Sequence, residues 1–179
     1  MKKSILSIAS FIIAISSSAA ISAPFGSMND VAYAKQLWAA LEGFQLVGKN
    51  ATVSTPYKGT HPHGAVLDTI DSQVWMNGHK NTVIIKRNYG GKGVSKTAVA
   101  NNPNQYLKAV TVMFKRTGYD STTKDWFWVK YSPNGDILKN PKGMALAGLV
   151  GKGGNKGCIA CHKAAPGGDF VFNHDRYAK

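Results

Sequence analysis

From Asn29 the chain carries apolar residues at helical spacing. Val31, Ala34, Leu37, Trp38, Leu41 and Phe44 recur three or four apart, Asn29-Asp30 can cap the run, and Gly43 and Gly48 stand near its end. One amphipathic helix is expected to open the domain. After it the hydrophobic pattern turns strand-like: GAVLDTI (64–70), NTVIIKRNY (81–89), KAVTVMFKR (108–116) and DWFWVKYS (125–132) are short β-branched or aromatic runs bounded by turn residues. TGYDSTTKD separates the last two and SPNGD follows them, so these strands pair most simply as antiparallel hairpins. The expected fold class is α+β, a mainly antiparallel β-sheet with the N-terminal helix packed on one face and a Gly- and Lys-rich segment (140–157) leading to a C-terminal binding segment. Glycines there are expected to let the backbone come close to a flat ligand.

Composition narrows the compartment. Residues 1–23 pair Lys2 and Lys3 with an apolar stretch around Phe11-Ile12-Ile13 and then small residues, the pattern of a secretory signal peptide. Serines break that stretch, and it falls short of the ~20 apolar residues that cross a bilayer. Cleavage is expected after Ala20, because Pro24 follows the other small-residue position, Ala23. The expected product is a single domain over 24–179, exported to the periplasm and without a membrane span. Loss of Lys2 and Lys3 takes the formal charge from +13 to +11. Such a surface attracts anions: lipid headgroups, acidic redox partners, nucleic acid. Export, together with lysines scattered singly among Gly and Asn, speaks against nucleic acid.

The candidate chemistry lies in GCIACHKAA (157–165), which holds both cysteines of the chain. On a helical turn the thiols of Cys158 and Cys161 point the same way, and His162 lies almost one turn from the first. Such a cluster can bond both vinyl groups of a haem as thioethers while the imidazole reaches the iron, so C-x-x-C-H reads as c-type haem attachment, with His162 as the metal ligand. Three other readings stand beside it. Zinc would need a fourth ligand, and only His174 follows, at an unusual spacing. A thioredoxin-like dithiol would open a helix in a βαβ unit. A disulfide would close a very small loop with little entropic gain. No methionine follows His162, and Met76, Met113 and Met144 upstream are as readily core or strand residues, so an open sixth iron position is expected. His61 and His63 flank Pro62 in THPHG and could suggest a second metal site, but with no third ligand nearby a turn entering a strand explains Pro62 and Gly64; His79 and His174 read as surface residues. Asp68, Asp71, Asp120, Asp125, Asp136, Asp169 and Asp175 read mostly as turn or capping residues.

HPHGAVLDTI, NTVIIKRNY, AVTVMFKRTGYD, DWFWVKYSPNGD and the late GCIACHKAAPGGDFVF, in this order and spacing, resemble the cytochrome P460 and cytochrome c′-β family over about residues 61–172. The resemblance implies a mainly antiparallel β fold, a homodimer, and one five-coordinate c-type haem per chain. It also implies binding and oxidation of hydroxylamine or a related nitrogen oxide, with electrons passed to a redox partner. In the c′-β branch the distal side is apolar, and nitric oxide or carbon monoxide is bound without turnover; the alternative outside the family is a simple electron-transfer cytochrome c with a sixth protein ligand. Phe114, Phe127 and Met113 could supply such a lining, with a core role favoured for them.

P460 members add a bond from a strand lysine to a porphyrin meso carbon, and the lysine of TVIIK, Lys86, matches that position. Read without the family, Lys86 is an ordinary solvated strand lysine. Alternation sets Lys86 beside Thr82 and Ile84, with Arg87 on the opposite face beside Val83 and Ile85. If the Ile84 side meets the haem, desolvation favours the neutral, nucleophilic amine. Active P460 members also use a distal carboxylate, whereas residues 140–157 contain no Asp or Glu.

Overall fold

The computed structural model describes residues 25–172. The expected signal peptide, its cleavage site, His174 and Asp175 lie outside these residues.

The first helix, α1 (Met28–Gly43), is capped two residues earlier than Asn29-Asp30 suggests. Ser27 is the N-cap: its Oγ accepts from the Asp30 backbone N–H at 3.1 Å, while the Asp30 carboxylate accepts from the Ser27 N–H at 3.3 Å. Ala34, Leu37 and Leu41 form its buried stripe. Phe44 does not belong to that stripe; the helix ends at Gly43, Phe44 is left exposed, and Leu46 and Val47 fill the core instead.

The sheet has six strands in chain order, all neighbours antiparallel: β1 (Tyr57–Lys58), β2 (Val66–Met76), β3 (His79–Tyr89), β4 (Leu107–Lys115), β5 (Trp126–Tyr131) and β6 (Ala147–Gly148). The four sequence-predicted strands are present, and the class is α+β. The first of them is longer than its apolar run. Val74 and Met76 continue the alternation past the polar stretch Asp71-Ser72-Gln73, and the hairpin closes at Asn77-Gly78, both in left-handed conformations (φ 52° and 76°). Two short helices, α2 (Lys96–Asn101) and α3 (Pro103–Tyr106), connect β3 to β4, and α4 (Cys158–His162) follows β6. Among the described residues no helix is long and apolar enough to cross a membrane.

One face of the sheet is sealed by α1. Val83 and Ile85 of β3, Val112 and Phe114 of β4, and Phe127 and Val129 of β5 pack with Leu37 and Leu41 into one cluster. Phe114 and Phe127 are therefore core residues, as favoured above, and cannot line a site on the other face. At the end of this layer Arg87 and Asp68, both almost wholly buried, form an ion pair at 2.7 Å. Arg87 Nη2 also donates to the Leu46 and Thr52 carbonyls at 2.7 Å each, and Tyr89 donates to the second Asp68 oxygen. Asp68 is thus a buried strand residue rather than a turn residue. With Arg87 it ties the loop after α1 to the sheet, and every strong donor in the group finds an acceptor.

Candidate haem site

Across the face opposite α1, strand register lines up three rows of side chains. Asp71, Ile84, Met113 and Trp128 make one row; Thr69, Lys86, Thr111 and Lys130 the next; Leu67, Asn88 and Ala109 the third. Lys86 shares this face with Ile84 while Arg87 points to the core, as strand alternation predicts.

Helix α4 lies over the first row. Ile159 is buried among Met113, Trp126, Trp128 and Val150, and its backbone N–H donates to Val150 O at 3.0 Å, which pins the helix to the segment after β6. The glycines before it serve that loop more than a ligand. A Cβ on Gly157 (φ 116°) would sit 2.8 Å from the Gly151 Cα, and one on Gly151 would sit 2.7 Å from Lys156 O. Two backbone segments cross there, so the lack of a side chain lets the loop pack on itself, and Gly157 also borders the cavity described next.

Between α4, the sheet and the segment 57–63 opens a cavity of about 340 Å³, with a second of about 30 Å³ toward Ile84, Met113 and Trp128. Cys158, Cys161, His162 and Lys86, far apart in sequence, border the larger one together. Tyr57, Leu67, Leu146, Val150 and Phe172 supply its apolar wall, and Thr111 and Lys130 its polar floor. The Tyr57 hydroxyl meets Thr69 Oγ1 at 2.7 Å. Met113 lines the smaller cavity, Met76 is in the α1 core, and Met144 borders neither. No Asp or Glu is among the residues lining either cavity.

The two thiols differ. Cys161 is exposed, whereas burial pushes the Cys158 thiol up to about 11, an effect that Lys130 partly opposes. His162 is 7% exposed and its Nδ1 lies 2.7 Å from Phe170 O. A carbonyl only accepts, so Nδ1 carries the hydrogen and Nε2 keeps the lone pair that binds a metal. Burial lowers its proton affinity, the Phe170 bond opposing and Lys86 adding to the effect, which favours the neutral ring.

In the sequence a turn reading outweighed a metal-binding one for His63; the structure folds it back to border the cavity. Its Nδ1 meets Asn88 Oδ1 at 3.1 Å and its ring centre is 6.1 Å from that of His162. Burial first, then Lys86 and His162, push its pKa down to about 4. His61, two residues earlier, is exposed at the rim.

The residues fit a haem c. Two thiols on one helical turn, an imidazole oriented through Nδ1, an apolar wall and two lysines able to face carboxylates are the donor set that such a group uses. A further sign is Trp128 Nε1, in a side chain only 2% exposed, which is the one buried side-chain N or O without a hydrogen-bond partner among the described residues. Trp128 borders the smaller cavity, where an acceptor on a bound group would satisfy it.

No curated protein and no solved structure matches the chain. The family model for cytochrome P460 matches residues 42–173, from the end of α1 through the C-x-x-C-H segment. With the sheet, the cysteine pair and the oriented histidine all inside that span, the chain belongs to the cytochrome P460 family of haem cytochromes.

Proposed function

We propose that this chain is a periplasmic mono-haem c-type cytochrome that binds hydroxylamine or a related nitrogen oxide at its iron, oxidises it, and passes the electrons to a redox partner. Cys158 and Cys161 would hold the group through thioethers, each S–H adding across a vinyl so that sulfur bonds one carbon and hydrogen the other. His162 ligates the iron through Nε2. When bound, the haem supplies an iron that accepts a small nitrogen ligand and its electrons. Lys86, on the cavity beside the cysteine pair, would be the residue to bond a meso carbon of the group; such a bond would release the amine's and the carbon's protons and need a peroxide-class oxidant to take up two electrons.

The observation that carries this reading is the meeting of Lys86 with the C-x-x-C-H segment on one cavity, across more than seventy residues of chain. A second reading, binding of nitric oxide or carbon monoxide without turnover, is favoured by the lack of a carboxylate among the lining residues, since proton removal from a substrate calls for a base within hydrogen-bond reach. The ferrous optical spectrum of the haem-loaded protein tests the crosslink. Lys86→Leu is expected to move the Soret band back to the blue, and an unchanged spectrum in that variant refutes it. Hydroxylamine-dependent reduction of an added electron acceptor separates turnover from gas binding.

A further inference from the structure

The segment after α4 comes back to the cavity at Val171 and Phe172, and just before that it is fastened to β4 and β5. Asp169 is the fastening point. Its main-chain carbonyl accepts from the Trp126 indole N–H at 2.9 Å, and its carboxylate pairs with Lys115 at 3.0 Å. The Lys115 ammonium in turn lies 4.4 Å from the centre of the Trp126 ring. Lys115 and Trp126 are register partners on β4 and β5, one row beyond Met113 and Trp128. The two fastenings are unequal. Trp126 is buried, 2% exposed, whereas the Lys115–Asp169 pair is open to water and is the weaker hold.

The next residue is bent toward His162. Gly167, Gly168 and Phe170 all lie in the left-handed region, with φ of 84°, 68° and 62°. Glycine adopts that region freely, but a phenylalanine there is strained and must be held by its surroundings. The strained residue aims its carbonyl at the ring: Phe170 O stands 2.7 Å from His162 Nδ1. Its own ring packs on Trp128 with centres 6.4 Å apart, and Phe172 stands edge-on to the His162 imidazole at 5.3 Å. Trp126, Asp169 and Phe170 border neither cavity, so any effect they have on a bound group passes through the imidazole.

We infer that Trp126 is a positioning residue for the iron-binding histidine: through Asp169 O it holds the segment 167–172 so that Phe170 O keeps its hydrogen bond to His162 Nδ1. This rests on the haem reading above. A carbonyl that accepts from Nδ1 leaves more electron density at Nε2 and makes the imidazole a stronger ligand. A stronger ligand favours ferric over ferrous iron and lowers the reduction potential. The potential at which the iron takes up electrons is thereby set in part by a tryptophan outside the cavity.

The test is resonance Raman spectroscopy and redox titration of the full haem-loaded chain. In wild type the ferrous iron–imidazole stretch is expected above that of haem proteins whose imidazole has no hydrogen-bond acceptor. Trp126→Phe keeps a buried aromatic ring and removes the N–H. It should lower that stretch and raise the reduction potential, with haem content per chain unchanged. Lys115→Met, which removes only the exposed fastening, should move both by less. A Trp126→Phe protein with the wild-type stretch and potential overturns the assignment, and so does a Lys115→Met effect as large as that of Trp126→Phe. A wild-type stretch at the value of an unbonded imidazole overturns it as well, even where the variant fails to fold. In these three cases the haem reading stands, whereas a chain that takes up no haem overturns both.

Discussion

The two faces of the sheet are made by the same strands and end in opposite conditions. Beneath α1, Val83, Ile85, Phe114 and Phe127 are fully buried, and the one ion pair in that layer, Arg87 with Asp68, has its remaining donors satisfied by main-chain carbonyls. On the other face Lys86 and Lys130 stand over a cavity beside Trp128, whose indole N–H has no partner among the described residues. The first face spends its side chains on stability. The second leaves space and, in Trp128, one unmet donor among the described residues, the state in which a bound group adds the missing contact. A strand reverses face at each residue, so Arg87 and Lys86, adjacent in sequence, serve these two tasks at once.

The contrast is broken most strongly by replacing one cation on each face with methionine. Arg87→Met leaves Asp68 as an uncompensated buried charge and is expected to cost about 3–5 kcal/mol in urea unfolding. Lys130→Met, on the cavity side of the next strand but one, should stay within about 0.5–1 kcal/mol. Equal losses would mean that the cavity face is as tightly integrated as the core.

The cavity face can be sharpened through its thiols. In haem-free protein at pH 8, iodoacetamide should modify Cys161 at least tenfold faster than Cys158, because the thiolate is the attacking form and burial disfavours it at Cys158. Mass spectrometry of the tryptic peptide reads the order, and equal rates would remove the claimed asymmetry.

The smallest effect belongs to the surface pair Lys152 and Asp120, 2.6 Å apart. Burial pushes the Asp120 carboxyl up, but hydrogen bonds from Lys152, Thr123 and Thr122 outweigh it and hold the group below its ordinary value of 3.8. A depressed carboxyl stabilises the fold above that value and loses its contribution as pH falls below it. Lys152→Ala should therefore cost less than about 1 kcal/mol at pH 7, and nothing measurable by thermal melts in strong acid.

Much of this was readable one-dimensionally. Alternation identified the four main strands and put Lys86 and Arg87 on opposite faces, because side-chain direction in a strand depends only on parity. The outer half of β2 escaped notice because Asp71-Ser72-Gln73 interrupts its apolar pattern, although Asn77-Gly78 marks the turn that ends it. Strands β1 and β6 are two residues each and exist only through their neighbours' hydrogen bonds. Asp68 resembled the other aspartates until its partner, nineteen residues away, was in place.

Sequence alone determined the chemistry carried by local geometry: the helical turn that aligns Cys158, Cys161 and His162, and the strand parity of Lys86. Tertiary structure decided which distant groups meet it. His63 became a cavity residue, Trp128 a buried donor in want of an acceptor, and Phe114 and Phe127 core. Those outcomes depend on register across four strands and on how a turn folds over the sheet, and neither is encoded within any window short enough to read as a pattern.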